Sequence, residues 1–572
     1  MLKLMLAAAA ALVGQQATPP TVGEQPSDWA DTTLITNANG VQVGPDGSIQ
    51  RFHSLAFNHR TGRVIKVYSA GEQPQARVGN AEDAGGRTLL PGLIDAHGHV
   101  IGLGFAALTL DLTGTTSVAD LQQQLRAYAQ ANPGAAWIVG RGWNQEHWPE
   151  RRMPTAADLD SAVRDRPVWL VRVDGHAAVA NSAAMRIAGV TRATPTPAGG
   201  KIEKDARGNP TGLFIDAAED LVASKIPAPT PQQREAALAK AQESMLASGI
   251  TVVADMGTSA EDWAVMADAA RVQRLNVRII SYSAGLEPLP HIAPSGATPW
   301  IGSDRLRLVG VKIYGDGALG SRGAWLKRPY ADQPDTRGLQ FLQDEELMRQ
   351  LTTAARAGLQ PAVHAIGDAA NEQAIRAYEQ LGRTFTGDRR WRIEHAQVID
   401  PADIPRLAPA GIIASMQPIH QVSDRTMAEA RLGPNRLAGA YAWQSIARSG
   451  GRLAFGSDFP VEPVSPFLGL SAAVSRQDPD GVPPGGWRPE ERLSFEQALS
   501  GFTRNAAYAG FAEDRIGALE PGKWADFILV DRDVSQVDAQ SLARTQVFET
   551  WVAGRKVWEK DSSPAKAGAQ ER

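Results

Sequence analysis

The chain has 572 residues, of which 43% are hydrophobic and 21% charged, so a globular protein with more than one ordinary core is expected. The net charge of −4 and the lack of a basic stripe argue against a nucleic-acid-binding protein. Because there is no cysteine, disulfide bonds, thiolate nucleophiles and zinc–thiolate sites are excluded, and any metal has to be held by His, Asp, Glu or a modified side chain.

The N-terminal residues have the pattern of a secretory signal. A positive charge at Lys3 precedes a short apolar run from Leu4 to Val13, and small residues follow. The run is too short to span a bilayer as a permanent helix. We therefore expect a signal peptide at residues 1–20, whose cleavage leaves a periplasmic or secreted protein that is not bound to a membrane.

Two β-rich stretches lie at opposite ends of the chain. Residues 31–88 contain short apolar runs separated by turn signals such as Pro45-Asp46-Gly47. Residues 513–560 have the same texture, with runs at Ala525–Val530 and Val547–Val552. The sequence therefore predicts a small β-sandwich domain built from both termini, followed by a disordered tail at residues 561–572.

Between these ends, short apolar runs alternate with helical patterns, as they do in parallel α/β folds. Eight runs are strand candidates, which is the number in a closed (β/α)8 barrel. They are Leu90–Asp95, Ile250–Asp255, Val277–Tyr282, Leu308–Tyr314, Gln360–Val363, Trp391–Glu394, Ile412–Met416 and Leu453–Gly456. The fold class predicted is thus α/β, with a TIM-like barrel over residues 89–470 and its C-terminal helices over 471–512.

A large insertion follows the first barrel strand, at residues 101–229. It ends where a barrel helix begins, because Thr230, Pro231 and Gln233 form an N-terminal capping pattern and Gly249 ends that helix. Active sites of barrels lie at the C-terminal ends of the strands, where this insertion emerges, so we expect a lid or specificity module. Trp143 and Trp148 either form an aromatic wall over the site or belong to the core of the insertion.

The first barrel strand leads into two histidines that are separated by one residue, His97 and His99. Residues two apart on a strand point to the same side, so both imidazoles would project together from its C-terminal end. That spacing suits a single transition-metal ion, although a pair of loop histidines in a surface turn has the same sequence.

Further chemistry-bearing residues follow the other predicted strands. His364, His395 and Asp458 lie at the ends of the fifth, sixth and eighth strands, and Lys312 lies inside the apolar fourth strand. The C-terminal ends of parallel barrel strands meet at one rim, so these side chains are expected to converge on the two histidines of the first strand.

These positions resemble the amidohydrolase superfamily of metal-dependent hydrolases. The resemblance includes the run from Pro91 to His97 and the segment from Gly517 to Asp526, and it covers nearly the whole chain. Two motifs, Val311–Arg322 and Asp174–Ser182, are typical of the branch that contains N-substituted formamide deformylase. They are specific for the branch but say little about the substrate.

The resemblance implies a set of metal ligands. His97 and His99 would bind one divalent ion, expected to be zinc, together with Asp458, and the pair His364 and His395 would bind a second ion. Lys312 would bridge both ions as a carbamate formed with carbon dioxide, since a buried lysine is pushed towards its neutral, nucleophilic form and the resulting anion is stabilised between two cations. A structural lysine beside a single ion is the alternative.

A bound divalent metal lowers the pKa of its water towards neutrality, and the hydroxide attacks a carbonyl carbon. Asp458 would then be both ligand and proton shuttle to the leaving nitrogen. The expected reaction is hydrolysis of a carbon–nitrogen bond other than an ordinary peptide bond, in an amide, an N-acyl or N-formyl compound or a cyclic amide. The alternatives are ester, lactone or phosphotriester hydrolysis at the same site and a metal-binding barrel without catalysis.

Two further residues are substrate-binding candidates. Arg322 could hold a carboxylate or carbonyl of the substrate, or form a salt bridge within its glycine-rich loop. His176 could line the pocket from the insertion, as could His147, although a structural histidine is the more common case. Asp95 and Glu394, which neighbour ligand histidines, are either orienting groups or core-edge charges. The expected partner is a small-molecule substrate, and the sequence allows a homodimer.

Overall fold

The computed structural model describes residues 29–74 and 78–560, so the expected signal peptide at 1–20 and the tail at 561–572 lie outside the described residues. Within these ranges, no helix combines the length and apolarity that crossing a bilayer requires.

The N-terminal stretch forms short strands that follow a 3-10 helix at Trp29–Asp31. The strands are β1 (Thr32–Thr36), β2 (Asn39–Val43), β3 (Ile49–Phe52), β4 (Ser54–Asn58), β5 (Arg63–Tyr68), β6 (Asn80–Asp83) and β7 (Thr88–Pro91). Four of them make one sheet in the order β5-β4-β1-β6. The turn between β2 and β3 is held by Asp46, whose carboxylate accepts from the backbone N–H and the hydroxyl of Ser48.

The chain then enters the barrel through β8 (Leu93–Gly98) and the helix α1 (Val100–Leu108). The predicted strand Leu90–Asp95 is therefore divided between two sheets, since β7 pairs with sandwich strands and β8 with barrel strands. Gly92 lies at the point where the chain changes sheets, and a Cβ there would meet the Thr251 side chain at 2.2 Å. The close approach explains why a glycine is needed at this junction.

The insertion is a layer with its own six-stranded sheet, ordered β13-β14-β12-β11-β10-β9. Its elements are β9 (Leu110–Asp111), α2 (Val118–Ala131), β10 (Ile138–Trp143), α3 (Ala156–Asp160), β11 (Val168–Arg172), β12 (Ala177–Ala180), α4 (Ser182–Ala188), β13 (Gly200–Lys204), β14 (Pro210–Asp216) and α5 (Asp220–Ala223), with a 3-10 helix at Gln145–His147. Trp143 and Trp148 are fully buried in its apolar core, where their indole N–H groups donate to the carbonyls of Leu170 and Thr115. They thus belong to the core of the insertion, the second of the two alternatives.

The remaining barrel elements follow in alternation. They are α6 (Pro231–Ala247), β15 (Ile250–Thr258), α7 (Ala260–Arg271), β16 (Arg278–Ala284), α8 (Leu289–Ile292), β17 (Leu306–Tyr314), α9 (Asp344–Arg356), β18 (Gln360–Ala365), α10 (Asp368–Gly382), β19 (Trp391–His395), β20 (Ile412–Met416), α11 (Pro418–Leu432), α12 (Trp443–Arg448) and β21 (Arg452–Phe455), with 3-10 helices at Ile404–Arg406 and Pro434–Gly439. Eight parallel strands run in the order β21-β20-β19-β18-β17-β16-β15-β8, so the predicted TIM-like barrel is confirmed. Strands such as β19 and β20 are buried along their whole length, as expected for a sheet covered on both faces.

The barrel closes between β8 and β21 through hydrogen bonds between residues in or just after β8 and residues just after β21. Asp95 of β8 accepts hydrogen bonds from the backbone N–H and the hydroxyl of Ser457, just after β21. Asp458 N–H donates to the His97 carbonyl at 2.7 Å, and His99 N–H donates to the Phe459 carbonyl at 2.8 Å. We call this set of contacts the seam.

After the barrel come the helices α13 (Pro466–Ser475), α14 (Phe495–Gly501) and α15 (Arg504–Ala509), with a 3-10 helix at Pro489–Glu491, and then β22 (Phe527–Val530), α16 (Ala539–Ala543), β23 (Val547–Val552) and β24 (Arg555–Glu559). The last strands complete a six-stranded sheet in the order β24-β23-β22-β7-β2-β3. Strands from both ends of the chain thus share one sheet, and Phe57 packs against Phe527 and Trp551 in the apolar cluster beside it.

Candidate active site

A cavity of about 340 Å³ lies at the C-terminal ends of the barrel strands. The barrel contributes His364, His395 and Asp458 to its wall, and the insertion contributes Arg172 and His176. This is the rim at which the sequence placed the site.

His97 and His99 share this rim with Asp458. The Nδ1 atom of His97 lies 2.6 Å from Glu394 Oε2, so it donates to the carboxylate and leaves Nε2 with a lone pair. The Oδ1 atom of Asp458 lies 3.4 Å from His97 Nε2 and 3.1 Å from His99 Nε2, yet it is buried without a hydrogen-bond partner among the described residues. Two imidazole nitrogens and one carboxylate oxygen therefore converge without satisfying one another.

Glu394 is held in turn by a fully buried arginine. Arg392 donates two hydrogen bonds to the carboxylate at 2.6 and 3.0 Å, and its guanidinium also donates to the Ala96 carbonyl and to Ser415. Burial alone would raise the pKa of Glu394, but the charge of Arg392 brings it well below the usual range. Glu394 is thus an ionised group that orients His97, which favours the first of its two interpretations.

His364 and His395 lie beside the first pair. The ring centres of His97 and His395 are 4.8 Å apart, and those of His364 and His395 are 4.6 Å apart. Nδ1 of His395 lies 2.9 Å from Gln417 Oε1, which leaves Nε2 of this ring available. Nε2 of His364 is buried and has no hydrogen-bond partner among the described residues.

Lys312 lies on β17 with its side chain fully buried. Its Nζ is 3.2 Å from His97 Nε2 and lies over the Tyr314 ring. Burial lowers the pKa of Lys312 to about 8. The structure therefore brings together all six side chains that the sequence proposed as ligands: His97, His99, Lys312, His364, His395 and Asp458.

Backbone geometry at the strand ends presents two of these side chains. His395 and Asp458 have left-handed backbones, with φ of 72° and 62°. Such conformations are rare for residues with side chains and concentrate at functional sites. The neighbouring Gly456 is needed for close approach, since a Cβ there would lie 2.4 Å from Asp95 Oδ1 and 2.5 Å from the His97 nitrogen.

One site residue was missed by the sequence reasoning, which looked for metal ligands only on the barrel strands and at their ends. His420 lies on the first turn of α11, four residues beyond β20. Its ring stacks on His395 with centres 6.0 Å apart, and its buried Nε2, 3.9 Å from Asp458 Oδ2, has no hydrogen-bond partner among the described residues. The signal was a histidine just after a proline that starts the helix following a barrel strand.

The insertion contributes a second wall. His176 Nδ1 lies 2.7 Å from Asp216 Oδ1, and its ring centre is 5.3 Å from that of His364. Burial alone would lower the pKa of His176, but the Asp216 carboxylate raises it to about 9. His176 and His147 thus both line the cavity as proposed, and His147 is the more exposed of the two.

Arg322 is placed differently from its substrate-binding interpretation. Its guanidinium pairs with Asp332 at 2.8 Å, and it is not among the described residues that line the cavity. The alternative, a salt bridge within its own loop, is what the structure shows.

The donor set fits a divalent transition metal. His97, His99 and Asp458 offer ligand atoms that all lie within 4.8 Å of one another, and so do His395, His420 and Asp458. Imidazole and carboxylate are the ligand types of zinc and related ions, and the unpartnered Oδ1 of Asp458 would be costly to bury without a cation.

Comparisons with known proteins agree with this geometry. A model of the amidohydrolase family matches residues 80–558. The putative amidohydrolase YtcJ of Bacillus subtilis is 34% identical over 509 residues, which is 87% of this chain and 94% of the relative. N-substituted formamide deformylase of Arthrobacter pascens is 29% identical over 525 residues, which is 88% of this chain and 94% of the relative. A solved structure of an uncharacterised metal-dependent hydrolase from Pyrococcus horikoshii has a TM-score of 0.71 at 27% identity, covering 89% of this chain and 99% of that one.

Proposed function

Since the chain belongs to the amidohydrolase family of metal-dependent hydrolases, we propose that it cleaves a carbon–nitrogen bond other than an ordinary peptide bond. The preferred substrates are N-formyl or other N-acyl amides, with cyclic amides as a further class. The likeness to a formamide deformylase over 88% of this chain supports this choice of bond.

One observation carries the proposal. Donor atoms of His97, His99 and Asp458 face one another at the rim of the barrel, where Asp458 lines the cavity, without hydrogen bonds among them. A buried polar group without a partner costs free energy, so such a cluster persists in a folded protein when a cation satisfies it. We propose zinc as that cation, with His364, His395 and Lys312 available to a second ion.

A divalent ion bound there supplies Lewis-acid chemistry, because it polarises a carbonyl oxygen and lowers the pKa of water. The protein groups have separate tasks. Glu394 fixes the tautomer and the orientation of His97. Asp458 lines the cavity, and its carboxylate can take a proton from the attacking water and deliver it to the leaving nitrogen. The insertion supplies part of the cavity wall, which reduces the contact of the site with bulk water.

Lys312 has the environment that carbamate formation requires. Its pKa of about 8 makes the neutral amine accessible near neutral pH, and only the neutral amine adds to carbon dioxide. We propose that the carbamate forms when metal is present and supplies the anionic bridge between two ions.

The test is removal and return of the metal. Protein stripped with a chelator is reloaded with zinc or manganese, and bound metal is measured together with turnover on matched amides, N-formyl amines, esters, lactones and phosphotriesters. We expect activity to return with metal and to be highest on the N-acyl and N-formyl compounds.

A variant provides the matched control. His97→Asn removes one donor, whereas His291→Asn changes a histidine on α8 that is not among the described residues lining the cavity. The first variant should lose metal and activity together and the second should lose neither. Higher activity on esters or phosphotriesters would contradict the proposal that a carbon–nitrogen bond is cleaved. Metal uptake without turnover would indicate a metal-binding protein without catalysis.

A further inference from the structure

The helix α11 presents one face to the cavity, beyond the metal-binding side chains. His420, Ser423, Asp424 and Met427 are spaced by three and four residues, and all four line the cavity. Glu462, in the segment after β21, lines the same wall. We call Asp424 and Glu462 the acidic pair.

Asp424 is held in a fixed orientation by neutral donors. Its Oδ2 accepts from Gln397 Nε2 at 3.0 Å and from the Tyr441 hydroxyl at 2.8 Å. Its Oδ1 has no hydrogen-bond partner among the described residues. The carboxylate is therefore held through Oδ2, and Oδ1 is left for a ligand in the cavity.

Outside the candidate metal ligands, the other charged side chains of the cavity wall form ion pairs. Arg172 pairs with Asp174 at 2.5 Å, and Glu146 pairs with Arg431 at 2.6 Å. Neither Asp424 nor Glu462 forms an ion pair with any described residue. Burial accordingly raises the pKa of Asp424 and brings that of Glu462 to about 7, the direction expected of carboxyls without a cation.

A second feature of the same wall is an unpaired imidazole nitrogen on a residue that is also a candidate metal ligand. His420 lines the cavity and is only 8% exposed, and its Nε2, 3.9 Å from Asp458 Oδ2, has no hydrogen-bond partner among the described residues. A buried imidazole nitrogen left unpaired in a cavity is expected to be satisfied by what occupies that cavity.

We propose that the substrate carries a protonated amine or guanidinium, which binds at the acidic pair while the scissile amide lies at Asp458. The proposal rests on the proposed function. Asp424 is one helical turn from His420, so the cation lies several bonds from the reacting carbonyl. Carboxylates without cations favour such a group through charge-assisted hydrogen bonds and repel anionic analogues.

The experiment compares matched substrates on the metal-loaded enzyme. N-(4-aminobutyl)formamide and N-pentylformamide differ by a terminal ammonium in place of a methyl group, and 5-aminopentanamide and hexanamide place the same difference on the acyl side. In at least one pair, the cationic member should have a kcat/KM higher by about tenfold or more, mainly through KM.

Substitutions then locate the effect. Asp424→Asn and Glu462→Gln should each reduce the ratio of kcat/KM within the pair, and the double variant should bring it close to one. Glu429→Gln is the control, because it removes a charge from the same helix on its exposed side and keeps an acceptor for Trp487. This variant should retain the ratio of the unmodified enzyme.

Equal rates on both members of both pairs would overturn the proposal even in an active enzyme, and so would a preference that persists in the double variant. Since the comparison within a pair uses the unmodified protein, poor folding of a variant does not prevent this decision. If no amide is hydrolysed, the proposed function fails, and the cation site is then tested by ligand binding alone. Stabilisation against heat by 1,4-diaminobutane but not by 1,4-butanediol, weakened in either single variant, would support the cation site, and equal effects would refute it.

Discussion

At the scale of single residues, buried side chains of the site differ in how firmly their neighbours hold them. His97 is fixed by Glu394, and Glu394 by Arg392, so one imidazole is oriented by a chain of buried side chains. Lys312 is the exception, because it is a buried amine without a carboxylate in direct contact among the described residues. The chain from Arg392 through Glu394 to His97 fixes the geometry of a ligand, whereas Lys312 is left as an amine that can be modified.

The variant Glu394→Gln tests the orienting role. We expect metal affinity to fall by about 10- to 100-fold, because an amide no longer enforces the His97 tautomer. Competition with a chromogenic chelator measures the affinity, and circular dichroism checks the fold. Glu346→Gln, which removes a surface carboxylate on α9, is the control. Unchanged affinity in Glu394→Gln would show that the carboxylate is only a structural partner of Arg392.

The variant Lys312→Ala tests the proposed bridge. We expect kcat/KM to fall by at least about a hundredfold and bound metal per chain to decrease, because a group between the ions is lost. A short carboxylic acid should restore part of the activity by occupying the space of the carbamate. Lys312→Met fills that space with an apolar chain and should not be rescued. Full activity of Lys312→Ala without added acid would contradict the bridge.

At the scale of elements, sequence signals predicted the start of α6 but not the division of a strand between two sheets. The capping pattern at Thr230 is confirmed, since its hydroxyl accepts from Gln233 N–H, and the Gln233 side chain accepts from Thr230 N–H. Gly249 ends this region with a φ of 79°. The division of Leu90–Asp95 between two sheets was not predictable, because its apolar residues are buried in both. Periodicity reports burial but does not report which sheet supplies the hydrogen bonds.

Loss of the Thr230 cap should destabilise the start of α6. We expect Thr230→Ala to raise the exchange rate of first-turn amides by the equivalent of about 1 kcal/mol, since one backbone N–H loses its acceptor. Native-state hydrogen exchange measures this effect locally. Thr230→Ser keeps the hydroxyl and should behave like the unmodified protein, so equal effects of the two substitutions would count against the cap.

The sandwich has a pH-dependent contact between β3 and the loop after β22. Burial alone would raise the pKa of Asp533, but hydrogen bonds from Arg51, Asn39 and Ser535 lower it to about 2. Its contribution is therefore present above the unfolded pKa of 3.8 and is lost as the pH falls through 2. Asp533→Asn should lower the urea midpoint at pH 6 by an amount worth less than about 1 kcal/mol, because Arg51 is exposed to solvent. The difference should shrink between pH 4 and 2, and a constant difference would contradict the assignment.

At the scale of the whole molecule, the β-sandwich is fixed to the barrel by a buried ion pair. Arg278, at the start of β16, donates two hydrogen bonds to Asp526, which lies just before β22. Both side chains are almost completely buried. The contact joins a strand of the barrel to the segment that returns the chain to the sandwich.

Breaking this pair should cost more than breaking a surface pair. We expect Asp526→Asn to destabilise the protein by about 3–5 kcal/mol, because the Arg278 charge stays buried without its partner. Asp268→Asn, which breaks an exposed pair with Arg271, should cost less than about 1 kcal/mol. The shift of the urea midpoint measures both changes. A small effect of Asp526→Asn would mean that water reaches Arg278 in the folded protein and replaces the lost partner.

The barrel and the six clustered side chains could be predicted because strand ends of a parallel barrel must share a rim. His420 could not be found by that rule, since it lies on a helix. The ion pair between Arg322 and Asp332 depends on how one loop folds back, which no periodicity encodes. The role of Arg392 could have been predicted, because residues 392 and 394 lie two apart on one strand and so point to the same side.

The seam has a consequence for biosynthesis. It places Asp458 against His97 and His99, although the ribosome makes the carboxylate about 360 positions after the histidines. A nascent chain therefore exposes only part of the ligand set, and the full set exists after the last strand has docked on the first. Binding of an ion that needs all three side chains is thereby coupled to the synthesis and docking of the last barrel strand.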